Sequence, residues 1–460
     1  MPPNWWAYCN LEIDIIIHMV FLIKAAQLIF SLSILVIIHE FGHFIFSKAF
    51  NCRVEKFYLF FDPWFSLFKF QKGETEYGIG WLPLGGYVKI SGMIDESMDK
   101  EQMKLPPEPW EFRSKPSWQR LIIMIGGVLF NLILAIVLYS AVLFVWGEQY
   151  LPTKNVKFGI AVNETGKELG LRNGDKIVSV DGKEVEDFSK IIPVIVLNGA
   201  KTIEVLRNDE KIVVPVQNEI IPKLLKDRYV IGLRIPYKCK VIGFAKDSPA
   251  RDAGFEIGDE VLAINGSDFK YYDQFTDTIF SSKNKTISVL IKHGGANKII
   301  PVKIGLKGLL GIQPEHNIDG LFEYKTISYG FFESIPAGIS KGYNAVGNYL
   351  KQFKLLFAPE TKAYESLGGF IAIGNIFPSV WDWESFWNLT ALLSIILAVM
   401  NILPIPALDG GHVLFLLFEI VTGRKPSDKF LEYAQIVGMV LLFSLLIYAN
   451  GNDIWKWYRG

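Results

Sequence analysis

His39-Glu40-Phe41-Gly42-His43 lies inside a run of apolar residues, Leu28 to Phe50, long enough to cross a bilayer. Histidine and glutamate in hydrocarbon cost roughly 2–3 kcal/mol or more apiece, so groups placed there need an internal use. On a helix, His39 and His43 fall one turn apart on one face, the spacing of two ligands to one zinc ion. Glu40 sits beside them, where a carboxylate can take a proton from water at the metal. In a soluble chain this pattern would carry little weight. Inside a span, an idle His-Glu pair wastes free energy, and a functional use is the better account.

Composition fits a membrane protein with a sizeable water-exposed part: 460 residues, half of them hydrophobic, 14% aromatic and 20% charged. That length suits about three domains. Lys+Arg and Asp+Glu both number 47 and no basic block stands out, so no nucleic-acid partner is expected. Cys9, Cys52 and Cys239 are isolated and make neither a disulfide framework nor a Cys-x-x-Cys zinc site. Any metal must be held by histidine and carboxylate.

Four apolar stretches are expected to span, at about 23–47, 119–146, 386–420 and 434–449. The first is not a cleavable signal peptide, because its apolar run continues through the His-Glu pair. Glu12, Asp14 and His18 interrupt the residues before it, so Met19 is a candidate start and Met1 to His18 an upstream extension. Lys48, Arg53, Lys56, Lys115, Arg120, Arg424, Lys425 and Lys429 flank one set of span ends. Positive charge marks the cytoplasmic side, so 51–118 and 422–433 are expected inside and 148–384 outside. Lys456 and Arg459 at the external C-terminus run against the rule. His39 and His43 then lie toward the cytoplasmic half of the bilayer.

The external segment is duplicated. Gly170-Leu171-Arg172-Asn173-Gly174-Asp175-Lys176-Ile177 recurs 84 positions on as Gly254-Phe255-Glu256-Ile257-Gly258-Asp259-Glu260-Val261, and Val180-Asp181-Gly182 matches Ile264-Asn265-Gly266. Each copy has a glycine-punctuated turn, a short β-branched strand and a tight hairpin signal. The pair resembles PDZ domains, small β modules whose edge groove takes a peptide as an added strand, which implies peptide ligands. Two generic β modules are the plainer alternative. Residues 54–91 also alternate, rich in aromatic and β-branched residues and punctuated by glycine, and predict a β hairpin or small sheet. Its apolar character places it near lipid and the metal site, where an open edge can hold a substrate strand. A sheet packed on the membrane surface is the structural alternative.

The acidic partner is expected from the third span. Asn401-Ile402-Leu403-Pro404-Ile405-Pro406-Ala407-Leu408-Asp409-Gly410-Gly411 interrupts an apolar run, and two prolines break a helix there. Broken helices at bilayer depth line cavities, and Asp409 supplies a carboxylate. Two histidines and one carboxylate with an open fourth position make a hydrolytic zinc arrangement. His412 is the competing candidate and is assigned a supporting or structural role. His18, His293 and His316 have no acidic or histidine partner in the sequence and are expected to be incidental.

These features, with Leu82-Pro83-Leu84-Gly85-Gly86-Tyr87-Val88, follow in an order that resembles the site-2 protease family of intramembrane zinc metalloproteases. The resemblance covers nearly the whole chain from about residue 20. It implies zinc (Zn2+) bound by His39, His43 and Asp409, with Glu40 as catalytic base. It also implies that Asn401, Gly85 and Gly86 hold extended substrate and that 54–91 is a membrane-reentrant β element. Cleavage of single-span membrane proteins, anti-sigma-factor-like proteins and remnant signal peptides, in regulated intramembrane proteolysis at the bacterial inner membrane is likewise implied. The chain departs from the family where Gly127 is followed by Val128 and Gly369 by Phe370 rather than by proline, with Asn131 at the expected distance.

The expected fold is therefore an α-helical polytopic membrane protein of about four spans, with a membrane-reentrant β element and two external PDZ-like β domains. Its expected order is an N-terminal segment and first span (1–50), the β element (51–118), the second span (119–147), PDZ-like domains (148–222 and 223–310), an amphipathic helix and connector (311–384), and the last two spans (385–460). Tyr329, Phe332, Ile335, Ile339, Tyr343, Val346, Tyr349 and Phe353 recur at helical spacing. That helix can lie along the outer membrane surface or pack on the PDZ pair. A non-catalytic zinc-stabilised PDZ scaffold is the rival reading, but a scaffold needs zinc and no base. A transporter is weaker still, since no paired broken helices are visible.

Overall fold

The structure, a computed structural model, describes residues 5–83, 85–93, 106–227, 229–315 and 320–459, with side chains from His18 onward. Met1, Leu84 and His316, named above, lie outside the described residues. The chain forms two compact units: 1–148 with 328–354 and 364–460, and 149–327 with 355–363.

The first unit contains four helices long and apolar enough to cross a membrane: His18–Ala49, Ser117–Val145, Trp383–Ile402 and Lys429–Lys456. The protein is a multi-pass membrane protein. The second of these helices packs against both the first and the third. Contact with the first is backbone to backbone: a Cβ on Gly42 would lie 2.2 Å from the Gly126 carbonyl oxygen. Small residues permit such close approach where no hydrophobic effect drives helices together. Buried hydroxyls join the helices further along, Thr390 to Ser31 at 3.0 Å and Ser394 to the Asn131 carbonyl at 2.7 Å.

The expected third span is two helices. Trp383–Ile402 stops before Pro404, and a shorter helix, Asp409–Thr422, begins at the aspartate. Between them the chain turns, because prolines at 404 and 406 cannot continue the hydrogen-bond ladder. The last helix, Asp428–Arg459, is anchored near its end by Asp453, whose Oδ2 accepts the Gly369 and Ala372 N–H groups, both at 2.9 Å.

Residues 54–90 form a four-stranded mixed sheet: β1 (Val54–Leu59), β2 (Phe61–Lys72), β3 (Thr75–Leu82) and β4 (Tyr87–Ile90), in the order β2-β3-β1-β4. The β2–β3 pair is the expected hairpin, turning at Gly73 (φ 62°). The parallel β1–β3 pairing goes beyond a hairpin. β4 pairs antiparallel with β1 and forms one edge. β2, at the other edge, exposes Trp64, Phe65, Leu67 and Phe68.

Helix Phe331–Leu356 occupies the segment predicted to be amphipathic, its last turn placing Leu355 on the core of the first repeat, and within the first unit it packs on membrane helices. Ala345, Val346 and Tyr349 pack against Ala135 and Tyr139 of the second membrane helix and Ile395 and Val399 of the third. Its Gly338 lies where a Cβ would meet Ser140 Oγ at 2.1 Å. The helical periodicity exposed an apolar face; its partner residues lie in helices distant in sequence.

In the second unit the duplication is visible bond by bond. Strands Lys176–Val180 and Glu260–Ile264 each pair antiparallel with a later strand of their copy, Thr202–Arg207 and Thr286–His293. Asp175 and Asp259 are both buried, and each accepts a backbone N–H three residues back, from Arg172 and Glu256, at 2.8 Å. Asp181 and Asn265 occupy left-handed turn positions and accept N–H groups from the following strand. Arg207 pairs with Asp175 at 2.8 Å, and His293 fills that role in the second copy, 2.7 Å from Asp259. His293 therefore does have an acidic partner, supplied by folding rather than by sequence proximity. Strand Ile231–Leu233 pairs with Ile160–Val162, so residues just past 222 complete the first copy.

Removing one member of a buried ion pair leaves the other charge unpaired and costs about 3 kcal/mol or more. Asp175→Ala should lower the thermal unfolding temperature of the full-length protein more than Asp259→Ala. The half-exposed His293 can turn to water, whereas Arg207 is largely covered.

Candidate active site

The first membrane helix carries His39 and His43 to the start of helix Asp409–Thr422. His39 Nε2 lies 3.1 Å and His43 Nε2 3.4 Å from Asp409 Oδ2, and the two Nε2 atoms are 3.4 Å apart. Tetrahedral zinc with bonds of about 2.0–2.1 Å would hold its ligand atoms about 3.3 Å apart. Asp409 Oδ2 is buried and meets no hydrogen-bond partner apart from the two imidazoles. The three residues fit a metal, and among the described residues they are the one such His/Cys/Asp/Glu group.

The far side of each ring sets its tautomer. His43 Nδ1 lies 2.9 Å from the Ile123 carbonyl oxygen, to which it can only donate, leaving the Nε2 lone pair for a metal. Asn131 approaches His39 Nδ1 at 3.2 Å, and its Oδ1 is buried and unpaired. A half-turn of the amide would let Nδ1–H donate to Oδ1, satisfying that oxygen and aiming His39 Nε2 inward. Gly127 makes room: a Cβ there would sit 2.5 Å from His43 Nε2 and 2.6 Å from His39 Cε1. The family departure at Val128 leaves this glycine in place.

These groups open onto a cavity of about 900 Å³, which Glu40, Gly85, Gly86, Asn401, Asp409 and His412 help to line. The Val88 backbone N–H faces the Glu40 carboxylate, and β4 contacts the helix. Gly86 permits that contact, since a Cβ there would lie 2.6 Å from Val36 and 2.7 Å from the Tyr58 carbonyl oxygen. Asn401 Nδ2 lies 3.2 Å from His39 Nε2. His412 faces the cavity but does not belong to the three-ligand group.

Sequence reasoning noted Asn131 only for its spacing. An amide in the middle of an apolar span was the available signal. The Ile123 carbonyl had none, because a backbone acceptor leaves no mark on side-chain identity.

The family model for peptidase family M50 matches residues 27–445, and the chain belongs to that family. It is a zinc metalloprotease of the site-2 type, which sets aside the non-catalytic scaffold. Among its relatives is the regulator of sigma E protease of Haemophilus influenzae, 27% identical over 95% of this chain and 99% of the relative. A Vibrio cholerae protein described as "Putative zinc metalloprotease" is 28% identical over 92% of this chain and 97% of its own length. A protein of the same description from Rickettsia conorii is 28% identical over 93% and 97%.

Partners that orient a ligating histidine are worth about 10–100-fold in metal affinity. Asn131→Ala should weaken zinc binding by that factor in a chelator competition, while His43→Ala should abolish stoichiometric zinc.

Proposed function

We propose that this protease cleaves membrane-spanning segments of single-span membrane proteins, such as anti-sigma-factor-like proteins and remnant signal peptides, in regulated intramembrane proteolysis. The observation that carries the reading is the convergence of His39, His43 and Asp409 within 3.1–3.4 Å among apolar helices, beside Glu40 and a sheet edge. Bound zinc supplies Lewis acidity, polarising a peptide carbonyl and lowering the pKa of water. His39, His43 and Asp409 hold the metal. Glu40 accepts the proton of the attacking water and returns it to the leaving amine.

A helical peptide bond is shielded by its own hydrogen bonds, so the substrate span must unwind before cleavage. Among the described residues β4 pairs with β1 alone as a strand, leaving its other side, apart from the Val88 contact with Glu40, for an added strand. Pairing there replaces the backbone bonds that unwinding removes. Gly85 and Gly86 keep side chains away from that approach, and Asn401 holds the extended peptide beside His39. The exposed aromatic residues of β2 support a sheet that enters the bilayer.

The shared element order and buried aspartates of the two repeats support PDZ-like modules, acting as a size gate or as peptide readers. The basic residues at the span ends support placing them outside the bacterial inner membrane, with the active site toward the cytoplasm.

Glu40→Gln should retain stoichiometric zinc and lose about 10²–10⁴-fold in cleavage of a co-expressed single-span reporter. Undiminished cleavage would remove Glu40 from the base role. Val88→Pro, which removes the edge N–H that faces Glu40, should lower reporter cleavage about tenfold or more while zinc content is unchanged.

A further inference from the structure

The turn that delivers Asp409 contains a strained residue. Leu408 N–H donates to the Ile405 carbonyl at 3.0 Å, closing a turn with Pro406 and Ala407 at its centre. Ala407 has φ 77°, the left-handed value that the third position of a type II turn requires and that glycine normally supplies. An alanine there needs outside support.

The last membrane helix supplies it. Gln435, buried, accepts the Ala407 N–H through Oε1 at 3.1 Å. One turn further along the same helix, a Cβ on Gly438 would lie 1.7 Å from the Pro406 carbonyl oxygen, so the helix rests directly on the turn. An amide in an apolar span is costly and needs such a use. Ala407 and Gln435 both line the active-site cavity, and Asp409 follows two residues later.

We propose that Gln435 is a positioning residue that holds the 405–408 turn in its left-handed form and so presents the Asp409 carboxylate to zinc. Without the Gln435 acceptor the turn relaxes, and zinc binding must restore the strained backbone. The inference rests on the assignment of Asp409 as a zinc ligand.

Purified full-length variants would be titrated with zinc against a chelator. Gln435→Met, which keeps the volume but lacks the acceptor, should bind zinc about 5- to 30-fold more weakly. Adding Ala407→Gly, which removes the left-handed penalty, should return affinity to within about twofold of Ala407→Gly alone. Gly438→Ala, with Gln435 intact, should reproduce the loss by displacing the turn. The absorption spectrum of the cobalt-substituted protein gives a second readout of ligand geometry and should shift in Gln435→Met and recover in the double variant. Wild-type affinity in Gln435→Met, or a loss that Ala407→Gly does not repair, would overturn the proposal. Unchanged zinc affinity in Asp409→Ala would instead sink the ligand assignment on which it rests.

Discussion

Two imidazoles and a carboxylate turned toward one another in an apolar interior form a group that could hold a cation between them. Burial strips the Asp409 carboxylate of water and leaves its Oδ2 with only the two imidazoles for company. Much of the first unit can be traced to this arrangement. The contact at Gly42 and Gly126 brings two helices close enough for Gly127 to face both rings. The Ile123 carbonyl and Asn131 fix the rings from behind. The proline-broken third span turns a helix start, and with it a carboxylate, into the same space.

The sheet packs against the helix that carries His39 and His43, and its backbone groups find partners within it and in that helix. β4 is bound to β1 on one side and reaches Glu40 through Val88 on the other. In the proposed mechanism, this contact between a sheet edge and Glu40 would link substrate pairing to proton transfer. A peptide joining this edge would arrive beside Glu40 already extended, the conformation in which its carbonyl is accessible.

The site was readable in the sequence where chemistry was local or out of place. His39 and His43 announce themselves by helical spacing, and Asp409 and Asn401 by polarity and prolines in an apolar run. The two copies of the Asp175 and Asp259 turn were equally plain, because glycine and aspartate recur at one offset. What stayed hidden depends on long-range pairing. The parallel β1–β3 contact arises because β2 is inserted between their sequences, which hairpin signals cannot express. Helix Phe331–Leu356 displayed its apolar stripe without naming the helices that receive it. His293 looked partnerless because Asp259 reaches it only after its strand is laid beside the next.

Zinc-edge X-ray absorption on the purified full-length protein tests the metal centre most directly. Two imidazole scatterers and an all-nitrogen-and-oxygen inner shell at about 2.0–2.1 Å are predicted, with the shell losing an oxygen or the metal altogether in Asp409→Ala. A sulfur scatterer near about 2.3 Å, or a spectrum with no imidazole signature, would contradict it.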